Sequence, residues 1–162
     1  MYKEGHVFGP HSDQHLLYAP WTNRDSLLVT KNQFNKDLTS NINKLNSLGV
    51  ANIDKFVAPF EWYNKTIANW TEELGLDLYN FTPGLRTAAD YTFPEMGNKY
   101  MSSEAILDQL YAQESKEGLN GYIIIIHIGT DQRRKDKLFS QLSKLINVLK
   151  NKNYKFISLK EI

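Results

Sequence analysis

Gly121-Tyr122-Ile123-Ile124-Ile125-Ile126-His127 is the stretch on which the reading of the fold turns. A tyrosine followed by four isoleucines lacks the polar-apolar alternation of a strand with one wet face. A short, β-branched run that is apolar on both sides predicts a buried strand of a parallel sheet covered by helices.

The segments around it alternate in kind. His6-Val7-Phe8, between Gly5 and Gly9, is a short apolar piece that predicts a first strand. Phe34, Leu38, Ile42, Leu45 and Leu48 then recur every three or four residues from Thr30, and Gly49 supplies a stop, so a helix is expected there. Lys55-Phe56-Val57-Ala58 predicts a strand ending at Pro59. A helix follows over about 64–74, with Ile67, Trp70 and Leu74 inward and Gly75 as its end. Leu76 to Phe81 predicts another strand, followed by a long loop holding Pro83, Gly84 and Pro94. Ser102 or Ser103 is placed to cap a third helix, reaching about Glu114. A fourth helix is expected over roughly 135–150, and a closing strand over Tyr154 to Leu159. About five strands and four main helices in alternation make a single α/β domain over residues 1–162 with a parallel sheet.

Composition narrows the function. The 162 residues carry 19 basic and 18 acidic side chains, a formal charge of +1. That balance provides no basic field for a nucleic acid, and no nucleic-acid partner is expected. Arg133-Arg134-Lys135, followed at once by Asp136, reads as a solvated helix start. With no cysteine, disulfides, thiolate catalysis and Cys-ligated zinc are excluded. No run reaches the roughly 18 apolar residues of a membrane-spanning helix.

Chemistry gathers at the C-terminal ends of strands in α/β folds. His11 follows the first expected strand, Pro59 to Asn64 the second, Asp90 lies beyond the third, and His127 ends the fourth. The alternation therefore sets all four on one rim. In Gly9-Pro10-His11-Ser12-Asp13-Gln14-His15 the histidines stand four apart. If Pro10 opens a helical turn, their imidazoles share a face and suit one metal ion. Asp13 would then point elsewhere and be a poor third ligand. His127 has the chemistry of a general acid or base near neutrality, with Asp90 as its orienting carboxylate. Pro59-Phe60-Glu61-Trp62-Tyr63-Asn64 brings three aromatic rings after a strand, and such rings pack on the C–H faces of sugars.

These residues resemble the polysaccharide deacetylases (the NodB homology domain, carbohydrate esterase family 4). Residues 5–15 resemble that family's second motif, Gly-His-Glu-Ile-Gly-x-His-Ser/Thr-x-x-His, whose last two histidines bind a metal. Phe56 through Asn64 is similar to the third motif, Asp90-Tyr91 to the fourth, and Ile125-Ile126-His127 to the fifth. The resemblance implies the parallel-stranded part of a distorted (β/α) barrel. It implies His11 and His15 as metal ligands, and His127 and Asp90 as catalytic groups. Pro59, Phe60, Trp62, Tyr63, Asn64 and Tyr91 would then bind substrate. The implied cofactor is a divalent metal, zinc first, with cobalt, nickel or iron as alternatives. The implied substrate is an acetylated carbohydrate, and a secreted or periplasmic location goes with it. The family's first motif, Thr-Phe-Asp-Asp-Gly, which supplies the general base and a third ligand, does not occur here. The third motif's arginine position holds Val57. The chain is therefore expected to be the carboxy-terminal part of such a domain, with strand edges open to self-association. The other reading is a carbohydrate-binding or vestigial domain that has lost the base.

Overall fold

The computed structural model describes residues 1–161. They form an α/β arrangement of four α-helices and one two-stranded parallel sheet, linked by short 3₁₀ turns. Two compact units result: Met1–Asn80 with the residues from Ile157 on, and Phe81–Phe156.

The first unit is a strand–helix–strand unit with a long helix against it. Helix α1, Lys31–Ser47, starts where Thr30 accepts from the Gln33 amide while the Gln33 side chain accepts from Thr30. This reciprocal capping satisfies two amides that the first helical turn would leave unpaired. Strand β1, Lys55–Val57, pairs in parallel with β2, Asp77–Tyr79, Phe56 opposite Leu78. Helix α2, Lys65–Glu73, makes the crossover, capped by the Asn64 side chain on the Ile67 amide. Gly75, at φ +73°, follows its end. Phe34 and Leu38 of α1, Phe56 of β1 and Ile67 of α2 close the core together with Tyr18 and Leu76.

In the second unit, α3, Ser103–Glu117, is capped by Ser102, and α4 spans Leu142–Asn151. Ile106, Leu107 and Leu110 of α3 meet Leu145 and Leu149 of α4 over Leu85, Leu119 and Leu138.

Three expected strands are corrected by the structure. Tyr122 to Ile126 runs through the edge of the second core, every residue half-buried, and forms no ladder among the described residues. Its backbone is taken up otherwise. The Ile123 amide donates to Thr82 Oγ1 and the His127 amide to Asp90 Oδ2. Side-chain oxygens thus stand where a neighbouring strand's carbonyls would. His6 to Phe8 is likewise unladdered, although Gly9 packs so tightly on the Lys55 carbonyl that a Cβ there would lie 1.9 Å from its oxygen. Residues 154–158 are not a strand either; the Tyr154 amide instead folds back to the Leu149 carbonyl.

Arg134 departs furthest from its expected role. It is fully buried, not solvated. Its guanidinium donates to the carbonyls of Thr92, Met101 and Asp136 and to Ser103 Oγ. The helix expected from residue 135 begins only after a 3₁₀ turn at Leu138–Gln141. Among the described residues no helix is long and apolar enough to cross a membrane.

Candidate functional site

The first unit brings His11 and His15 together, but not through a helix. Residues 10–16 form an irregular turn in which Ser12 (φ +67°) and His15 (φ +53°) adopt left-handed backbone. Such conformations cost on the order of 1–3 kcal/mol each and persist only where the surroundings impose them. Here α1 does so. Asp37, nearly buried, accepts from Ser12 Oγ at 2.5 Å, the Asp13 amide at 3.1 Å and the Gln14 amide at 2.9 Å. Asn41, one turn on, accepts from the His11 amide at 2.9 Å. Ser40 and Lys44 hold the Asp13 carboxylate.

The turn sets the two rings 5.1 Å apart at 64°. Ligand nitrogens about 2.1 Å from one ion, spread at about the tetrahedral angle, put two imidazole centres roughly 5 Å apart. His11 Nδ1 lies 2.8 Å from the Val57 carbonyl. A carbonyl only accepts, so Nδ1 carries the proton and the lone pair sits on Nε2. That carbonyl–imidazole bond fixes tautomer and ring orientation in metal sites. The pair therefore fits two ligands of a divalent ion. Among the described residues no group of three His, Cys, Asp or Glu is placed to hold one.

The Phe60 ring meets His15 edge-on at 4.4 Å. Phe60 and Glu61 are both left-handed, at φ +60° and +53°. Among the described residues, four of the six non-glycine positions with positive φ thus lie in the two loops that carry or touch the imidazole pair. Among the expected substrate residues, Phe60 is exposed and Trp62 and Tyr63 are half-buried. Pro59 is buried and opens a 3₁₀ turn, so it shapes the loop rather than presenting a face. Asn64 is buried too. Its amide caps α2 and donates to the Arg24 and Ser26 carbonyls, so it serves the fold.

The second unit brings Asp90 and His127 together. Asp90 is completely buried, and its Oδ1 lies 2.5 Å from His127 Nδ1. Oδ2 accepts from the His127 backbone amide at 2.7 Å. One carboxylate thus fixes both the ring and the backbone of the same residue, leaving Nδ1 as the protonated nitrogen of the neutral imidazole. The Tyr91 ring stands edge-on to His127 at 6.1 Å and is about half exposed.

Sequence reasoning missed Asp37 and Asn41. The signal is visible afterwards: Asp37, Ser40, Asn41 and Lys44 form a polar stripe at helical spacing beside the apolar one, unneeded by a helix that only packs. No protein-family model matches the chain. No curated protein matches it either.

Proposed function

We propose that this chain carries the chemistry of a metal-dependent hydrolase that removes acetyl groups from a polysaccharide or amino sugar, on a barrel-type α/β scaffold. What carries the reading is the fixed tautomer of His11 together with its spacing from His15. His11 is locked with its lone pair on Nε2 by the Val57 carbonyl, and His15 stands at the spacing of a second ligand. A bound divalent ion, zinc first, would supply Lewis acidity toward an acetyl carbonyl and a water of lowered pKa.

His11 and His15 would hold that ion. His127, in the second unit, has the make-up of a general acid that could give an Nε2 proton to a departing amine or alkoxide. Asp90 would stabilise the imidazolium before the transfer and keep Nδ1 protonated after it. Phe60 and Trp62, in the unit that carries the imidazole pair, would offer aromatic surface to the sugar. The base that activates water is left unassigned.

The test is a zinc competition titration beside an acetate-release assay on acetylated chito-oligosaccharides. The reading expects one tightly bound ion, lost in His11→Ala and His15→Ala, and acetate release abolished by chelator. Failure of the wild-type chain both to bind zinc and to release acetate would refute it. Oligosaccharide binding without acetate release would instead establish the carbohydrate-binding reading.

A further inference from the structure

We infer that Trp21, Trp62 and Arg24 build a second sugar-ring subsite beside the imidazole pair, which makes the preferred ligand an oligosaccharide rather than a single sugar. The inference rests on the carbohydrate reading above and names the residues that would set substrate length.

Trp21 lies in the loop before α1 and is 58% exposed, a large apolar surface to leave in water. It is nevertheless ordered against Trp62, with centroids 5.3 Å apart and rings tilted by 32°. Its other aromatic neighbour is Phe60 at 5.8 Å, and Phe60 in turn touches His15. An unbroken series of rings therefore leads from the imidazole pair to Trp21. Arg24 lies over Trp62, its guanidinium carbon 4.4 Å from the ring centre, and is anchored by Nε donating to the Tyr63 carbonyl at 2.6 Å.

Next to this platform is a cavity of about 200 Å³ lined by Arg24, Asp25, Tyr63, Asn64 and Lys65. Every one of these residues carries a polar group, and none is aliphatic. Pockets for drug-sized ligands begin at roughly 300 Å³ and are lined mostly by apolar side chains. This one suits a single hydroxylated ring. Asp25 offers acceptors, Arg24 and Lys65 offer donors, and Tyr63 is the aromatic side chain in its wall.

The experiment is calorimetric titration of the full chain, with and without zinc, against N-acetylglucosamine and its tetramer. Wild type should bind the tetramer about three- to tenfold more tightly than the monomer, the scale of one added stacking contact. Trp21→Ala should erase that difference, and Trp21→Phe should keep most of it. Equal affinity for monomer and tetramer, no binding of the tetramer, or a Trp21→Ala variant that binds like wild type would each overturn the subsite. So would a wild-type dimer that Trp21→Ala converts to monomer, because a second copy would then cover the tryptophan. Acetate release is scored separately. Tetramer binding without acetate keeps the subsite and refutes the hydrolase. Acetate release with no preference for length does the reverse.

Discussion

Asp37→Ala tests the link between α1 and the imidazole pair. The carboxylate receives three hydrogen bonds from the turn between the two histidines. Bonds to a charged acceptor contribute about 1.5–3 kcal/mol each, but Gln14 is exposed and its amide would turn to water. Ser12, by contrast, is buried, and its hydroxyl would lose its partner there. A loss of about 3 kcal/mol is expected for Asp37→Ala, and about half that for Asp37→Asn, which keeps one acceptor. The turn would then relax from the left-handed backbone at Ser12 and His15, and the rings would lose their spacing. Disturbing a group that orients metal ligands lowers affinity by about 10- to 100-fold. Urea denaturation reads the first quantity and zinc competition, under conditions where the variant is folded, the second. A folded variant with the stability loss but unchanged zinc affinity would refute the argument that α1 pre-sets the pair. A loss below about 0.5 kcal/mol would refute the hydrogen-bond reading itself.

Further outcomes follow from other contacts. Gly9→Ala should destabilise by at least about 2 kcal/mol in chemical denaturation, because the new methyl would overlap the Lys55 carbonyl and backbone must move. Asp90→Asn should leave the fold largely intact but cut acetate release by about 10²-fold or more, with an altered pH–rate profile, since the amide can hold the wrong imidazole tautomer. An unchanged rate and pH profile would remove His127 and Asp90 from the chemistry. Burial opposes ionisation of Asp136, yet the Ser103 amide, the Tyr100 hydroxyl and Arg134 outweigh it and hold the carboxyl below its ordinary value. A group depressed on folding stabilises above its unfolded pKa, about 3.9, and loses that contribution as pH falls through the folded value. The stability gap between wild type and Asp136→Asn should therefore be full at pH 7 and shrink below about pH 4. A gap that is flat with pH would refute the assignment.

Local order was legible in the sequence wherever the causes were local. Apolar periodicity marks helix starts at Thr30 and about residue 64, and Ser102 marks one as a cap; the structure places all three within one residue, each with a side chain bonded to the amide three residues on. The strand at Lys55–Val57 ended at Pro59 as expected, since a residue before proline is held extended and Ala58 is (ψ 143°). The tetra-isoleucine run misled for the opposite reason. Composition tells how apolar a segment is, but a ladder needs a partner edge, and Thr82 and Asp90 occupy two of its amides instead. The histidine pair was found by spacing but assigned the wrong backbone. Ser12 and His15 adopt positive φ under the grip of a carboxylate more than twenty residues away, which no local propensity encodes. The Asp90–His127 partnership crosses 37 residues and came from the need of a histidine for an orienting carboxylate together with the motif resemblance of Asp90-Tyr91, not from local propensity.

Arg134 has a consequence for how the second unit can move. It ties Thr92 and Met101, on either side of the loop that follows Asp90, to a segment that begins seven residues beyond His127. Prising that loop open means stripping a guanidinium of its acceptors where no water reaches it, so the two segments bearing the carboxylate and the imidazole should breathe in concert. Amide exchange there should be slow and shared, more like the turning of a single block than the flapping of a cover.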